Sequence, residues 1–130
     1  MNEFDKTWIS YTKDLKHPQN EATIITAIRR ARRIVFVAKG RVGLATKMFM
    51  QRLSQLGYTV AHSEDLLIPE IGSQDLAIFV TASGSTKSSL AYVDIARRCK
   101  CRTLAITFNA KGEISQQCNQ VAEYLSLIHI

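Results

Sequence analysis

Leu76-Ala77-Ile78-Phe79-Val80 runs directly into Thr81-Ala82-Ser83-Gly84-Ser85-Thr86-Lys87-Ser88, and the reading of this junction decides the fold. An unbroken apolar run with aromatic and β-branched members fits a strand buried on both faces. The hydroxyl-rich turn that follows leads into a helical pattern. It offers one small anion a set of backbone N–H groups, small hydroxyls and the positive end of a helix dipole.

The same grammar occurs upstream. Ile34-Val35-Phe36-Val37-Ala38 is a second apolar run, followed by Lys39-Gly40-Arg41-Val42-Gly43 and then by Val42, Ala45, Phe49, Leu53 and Leu56 at helical spacing, with Gly57 as a stop. Tyr58–His62, Asp75–Val80 and Leu104–Phe108 complete four predicted strands, and helices are predicted near residues 87–98 and 113–122. Strands apolar on both faces and separated by helices imply a sheet covered on both sides. The fold class is α/β: a three-layer sandwich around a parallel, doubly wound sheet of the flavodoxin-like kind. In such sheets ligands bind beyond the carboxyl ends of the strands, so residues 39–43, 62–72 and 81–88 are expected to meet there.

Residues 1–124 read as one domain, with N-terminal helices over 1–33 and an α/β core over 34–124. A first helix is expected near residues 3–16, broken at His17-Pro18. A second runs near 20–33, capped by Asn20 and buried through Ile24, Ile25, Ile28 and Ala31. At 130 residues, 46% hydrophobic and 22% charged, the chain suits one compact core. No apolar run approaches the roughly 20 residues of a membrane span, and the polar start is unlike a signal peptide, which points to the cytoplasm. Cys99, Cys101 and Cys118 match no common zinc spacing and read as free buried thiols, with no metal site. The net charge of +6 comes largely from Arg29, Arg30, Arg32, Arg33 and from Arg97, Arg98, Lys100, Arg102. Each run closes a helix ahead of a strand, where cations complement the dipole; lacking interleaved aromatics, the runs argue against a nucleic-acid partner.

Lys39-Gly40-Arg41-Val42-Gly43-Leu44, Pro69-Glu70-Ile71-Gly72 ahead of Asp75-Leu76, and Ser83-Gly84-x-Thr86-Lys87-Ser88 together resemble the sugar isomerase (SIS) family, and within it the 6-phospho-3-hexuloisomerases. The resemblance covers about residues 27–122. It implies about five strands, a homodimer or homotetramer, no cofactor, and a phosphosugar substrate. Its phosphate would rest on Thr81, Ser83, Gly84, Thr86 and Ser88, with Gly40 and Arg41 beside the sugar. The implied reaction interconverts ketose phosphates through an enediol or enediolate, which needs a base and an acid. His62 ends a strand on the ligand side, and Asp65 stands where the family's V-G-E-x-x-x-P motif carries Glu; these two are the catalytic candidates, with Glu64 or Glu70 as substitutes for Asp65.

The chain also departs from the family. Ala38 and Val42 replace a glycine and a serine of the first loop, and Thr81, Ala82 and Ser85 replace Ser, Gly and Glu of the second. Lys100 stands where the family ends a helix with glycine. These departures keep alive an alternative, a non-catalytic phosphosugar-binding or regulatory module. The family further draws an acid/base glutamate from a segment after the fifth strand, and this chain is expected to stop where that strand would begin. Leu125-Ser126-Leu127-Ile128-His129-Ile130 is what the run CTGTCTCTTATACACATC encodes, a transposon-end adapter used in library preparation. Residues 125–130 are accordingly read as a scar on a truncated gene, with a genuine short strand as the rival reading.

Overall fold

The computed structural model describes residues 18–65, 70–82 and 87–124. The helix expected near residues 3–16, the loop residues Ser83, Gly84, Ser85 and Thr86, and the suspected tail 125–130 lie outside the described residues. In chain order the elements are α1 (Pro18–Arg30), β1 (Ile34–Val37), α2 (Gly40–Gln55), β2 (Val60–His62), β3 (Leu76–Thr81), α3 (Lys87–Arg98), β4 (Arg102–Thr107), α4 (Glu113–Gln117) and β5 (Gln120–Glu123).

The strands form one five-stranded sheet in the order β2-β1-β3-β4-β5, with every pair parallel. Alternate residues feed opposite cores. Ile34, Phe36, Leu76, Ile78 and Leu104 pack with Ala27 and Ile28 of α1 and Met50 and Leu53 of α2. Val35, Val37, Ala77 and Phe79 pack with Val93 and Ala96 of α3 and Ile114 of α4. Phe36 and Phe79 are fully buried on opposite faces, each removing about 2–3 kcal/mol of apolar surface from water. Both faces of the sheet are thus covered, as the unbroken apolar strands require.

Five expectations need correction. Residues 113–122 are not one helix: α4 stops at Gln117, Cys118 is extended, and Gln120–Glu123 becomes β5, so the fifth strand is present. Asn119 makes this exchange. Its Oδ1 accepts from the Thr103 N–H and hydroxyl of β4 (2.9 and 3.1 Å), and its own N–H donates to Thr103 Oγ1 at 2.8 Å. Asn20 is no cap. The helix already begins at Pro18, and Asn20 Nδ2 donates instead to the Glu123 carbonyl at 2.6 Å, tying α1 to β5. Ile25 is half exposed rather than buried with Ile28, and Cys99 is exposed, while Cys101 is buried and Cys118 half-buried. Burial pushes the Cys101 and Cys118 thiols up to about 11.

Two helices end in the same way. At α2, Tyr58 N–H reaches the Leu53 carbonyl and Gly57 N–H that of Ser54; at α3, Cys101 N–H reaches Ala96 and Lys100 N–H reaches Arg97. Both are Schellman closures through a left-handed residue. Gly57 has φ 97° and Lys100 φ 57°, so the lysine does occupy a glycine's conformation.

Candidate functional site at the carboxyl edge of the sheet

The strand order reverses between β1 and β3, which are neighbours although β2 lies between them in sequence. The loops leaving these two strands therefore diverge to opposite faces and leave a crevice at their carboxyl ends. Lys39–Gly43 closes one side and Thr81 opens the other. Gly40 enters α2 with φ 62°, and Gly43 is held where an added Cβ would meet the Ala38 carbonyl oxygen at 3.3 Å. A side chain at Gly43 would press on the end of β1, which would have to give by a few tenths of an ångström.

Thr81 is buried at the end of β3 and lies in register with Thr107 at the end of β4. Sequence reasoning missed Thr107, although its signal was there: Leu104-Ala105-Ile106-Thr107 ends in the same residue as the apolar run before Thr81. Beside these threonines lies a groove of about 440 Å³, with walls that include Phe36, Val42, Phe49, Thr81, Thr107 and Tyr124. Phe36 and Phe49 meet edge to face, 6.0 Å apart. Ser88 is exposed in the first turn of α3. Gly40, Arg41, Thr81 and Ser88 therefore share one edge, and Lys39, Arg41 and Lys87 are exposed cations around it.

The two catalytic candidates lie elsewhere, on the other flank of α2. His62 and Asp65 line a separate cleft with Lys47, Met50, Gln51 and Ser54. His62 is 1% exposed; its Nδ1 accepts the Glu64 N–H at 3.1 Å, which leaves the proton on Nε2, and that buried Nε2 has no partner. Burial, and then the nearby Lys47 charge, hold its pKa below that of a free imidazole. Asp65 turns its carboxylate back onto the His62 N–H at 2.8 Å and returns its own N–H to the His62 carbonyl. Glu64 is the carboxylate that reaches the α2 entrance, its Oε1 lying 3.6 Å from where a Gly43 Cβ would stand. Glu70 belongs to the opposite edge, because Arg33 donates to its carbonyl and Gly72 N–H donates to Asp75 at 2.8 Å. The expectation that residues 62–72 all sit at the carboxyl edge fails at Glu70 and Gly72.

A parallel sheet with its order reversing beside a Thr-ended β3, and a glycine-tight β1–α2 entry, is a shared architecture. The model of the SIS domain family matches residues 27–127 of this chain. The chain belongs to the SIS domain family. Over 98 residues this SIS domain is 29% identical to the 3-hexulose-6-phosphate isomerase of Mycobacterium gastri, covering 75% of this chain and 49% of that protein. A hypothetical protein of Methanococcus jannaschii, whose crystal structure infers a molecular function of 3-hexulose-6-phosphate isomerase, matches with a TM-score of 0.76 at 24% identity, over 81% of this chain and 59% of that one. The sugar isomerase domain of an RpiR transcription factor from Sphaerobacter thermophilus matches with a TM-score of 0.75 at 15% identity, over 97% and 77%. The SIS domain described here spans about half the length of the curated relatives it matches. Among the described residues no helix is long and apolar enough to cross a membrane, and no group of three His, Cys, Asp or Glu side chains could hold a metal ion.

Proposed function

We propose that the carboxyl edge binds the phosphate of a ketohexose phosphate and that the protein interconverts 3-hexulose 6-phosphate and fructose 6-phosphate. The observation that carries this reading is that β3 ends at Thr81 and α3 begins at Lys87 beside the β1/β3 crevice, where the N-terminus of α3 and the exposed Lys39, Arg41 and Lys87 favour a dianion. Thr81, Ser83, Gly84, Thr86 and Ser88 are its proposed ligands, and Gly40 and Arg41 face the sugar. The similarity to named 3-hexulose-6-phosphate isomerases supports the same substrate class.

The reaction removes the proton from C2, forms a C2–C3 enediolate, passes the O2 proton to O3 and returns a proton to C3. No oxidant or reductant is needed, since one carbon is oxidised as its neighbour is reduced. Glu64 is the carboxylate we assign as base, because it lies at the α2 entrance. Asp65 and His62 act through it as positioning residues, fixing the turn from which Glu64 projects. An assay of fructose 6-phosphate turnover tests the reading. Glu64→Gln should cost roughly 100-fold or more in kcat, the usual weight of a general base, with the Asp65→Asn effect smaller. Equal and small losses in both variants would remove Glu64 from the mechanism.

A second reading, a phosphosugar sensor without turnover, is favoured by Val42. Where the family carries a serine hydroxyl, this side chain lines the apolar groove. Thermal protection by fructose 6-phosphate with no turnover would select it; saturation at about 100-fold over Kd gives about 2.7 kcal/mol.

A further inference from the structure

In a parallel sheet every helix-to-strand junction falls on the same edge, so cation runs far apart in sequence converge there. Arg29 and Arg30 close α1, and Arg32 and Arg33 lead into β1. Arg97 and Arg98 close α3, and Lys100 and Arg102 lead into β4. The junctions are neighbours: Arg32 N–H donates to the Gln74 carbonyl, and Arg102 N–H to that of Asp75. Between them lies a cleft of about 400 Å³ bordered by Arg30, Arg32, Ser73, Gln74 and Arg102.

Few carboxylates oppose these cations among the described residues. Asp75 is fully buried and occupied by Arg32 and Arg33, both at 3.2 Å; Asp94 is paired with Arg98 at 2.8 Å; Glu70 is exposed. Helix dipoles explain a cation in each last turn. They do not explain Arg102, which lies beyond the helices, or an edge where Arg32 and Arg33 bring two cations to the single carboxylate of Asp75.

We propose that this amino edge docks the phosphate backbone of double-stranded nucleic acid. Several cations spread over three strands, about 10 Å at the usual strand spacing, meet a row of phosphates without demanding a base sequence. The cleft's lining contains no aromatic ring to stack an unpaired base, which favours a duplex over a single strand. This face lies a strand's length from the sugar site, so the two ligands bind independently, whatever the sugar site does. The basic runs, separate in sequence and there unlike a nucleic-acid surface, are brought to one edge by the fold.

The test is fluorescence anisotropy of a labelled 20-base-pair DNA of mixed sequence with the whole chain. With about four phosphates neutralised, affinity should fall about 150-fold between 50 and 200 mM salt. Arg97→Gln/Arg102→Gln, and separately Arg29→Gln/Arg30→Gln, should each flatten the salt dependence by about two contacts. Lys47→Gln/Lys111→Gln removes equal charge from other exposed sites and should leave it unchanged. Saturating fructose 6-phosphate should not displace the DNA. Absence of binding at 50 mM salt, equal weakening in all three variants, displacement by the sugar phosphate, or tighter binding to a single strand would each overturn the proposal.

Discussion

Asp75→Asn removes the charge, and little of the volume, from a side chain that is fully buried at the amino end of β3. Arg32 donates to both carboxylate oxygens at 3.2 Å, Arg33 donates at 3.4 and 3.2 Å, and Gly72 N–H adds a further bond at 2.8 Å. Burial by itself would raise the pKa of Asp75, but the two guanidiniums and the amide outweigh it and bring it from 3.8 down to about 2. A carboxyl whose folded pKa lies below its unfolded one stabilises the fold above the unfolded value. That stabilisation is lost as pH falls through the folded value. The shift corresponds to about 2 kcal/mol at pH 7, about half of that at pH 3 and little at pH 2. Urea unfolding of wild type and Asp75→Asn across this range reads it directly. At pH 7 the midpoints should differ by about 1–2 M urea for a domain of this size, and the gap should close toward pH 2. Other carboxylates titrate in both proteins and cancel in the difference. A gap that stays constant from pH 7 to pH 2 would refute the reasoning, since the loss would then come from packing or amide geometry and not from the paired charge.

Other outcomes follow from the same structure. Because the folded pKa of His62 lies below 6.5, the unfolded chain binds more protons just under that pH. Stability should therefore drop as pH falls below about 6.5, by at most about 1.4 kcal/mol per pH unit, and His62→Phe should lose that slope in thermal melts at pH 5.5 and 7.5. Lys100→Gly should raise stability by about 0.5–1 kcal/mol, read by urea midpoint, because it relieves a left-handed lysine. Asn119→Ala should cost about 1–3 kcal/mol by leaving the buried Thr103 N–H unpaired, with hydrogen exchange accelerated in Gln120–Glu123. Thr81→Val should weaken fructose 6-phosphate protection about fivefold, the worth of one hydroxyl hydrogen bond, while Ser63→Ala should not.

The sheet was legible because its strands are apolar on both faces. Ile34–Val37 and Leu76–Val80 leave little freedom about what covers them, and their order with the helices leaves few topologies. β5 was not legible. Gln120-Val121-Ala122-Glu123 has one fully buried residue and gains its strand from pairing with β4 and from Asn119 holding Thr103, neither of which is a local preference. The site was legible as far as chain position alone fixes it. Gly40, Arg41, Thr81 and Ser88 follow strand ends and must share an edge, whereas His62 also ends a strand but points under α2. Side-chain alternation separates these cases: His62 is in register with Phe36, whose side chain belongs to the α1–α2 core. The sequence could supply that parity only once the register of an edge strand was known.

The turn after β2 then bears on whether the site turns over its ligand. Its carboxylates divide the work by geometry: Asp65 is consumed by the His62 N–H, and Glu64 is presented to the α2 entrance. A carboxylate there competes with a phosphate for the same positive helix end, so the dianion is favoured at α3, where the first turn carries no acidic residue. On the proposed reading, phosphate and base would then sit at two helix ends flanking one crevice, as an enediolate reaction needs: one end would anchor the substrate while the other addresses a carbon several bonds away. On the same reading, a valine in place of the family's serine at position 42 would weaken contacts to the sugar and leave this division intact. If Glu64→Gln abolished turnover while thermal protection by fructose 6-phosphate survived, anchoring and chemistry would be separable in the way the two helix ends suggest. If it abolished both, Glu64 would be a ligand of the sugar, and the base would have to be sought elsewhere.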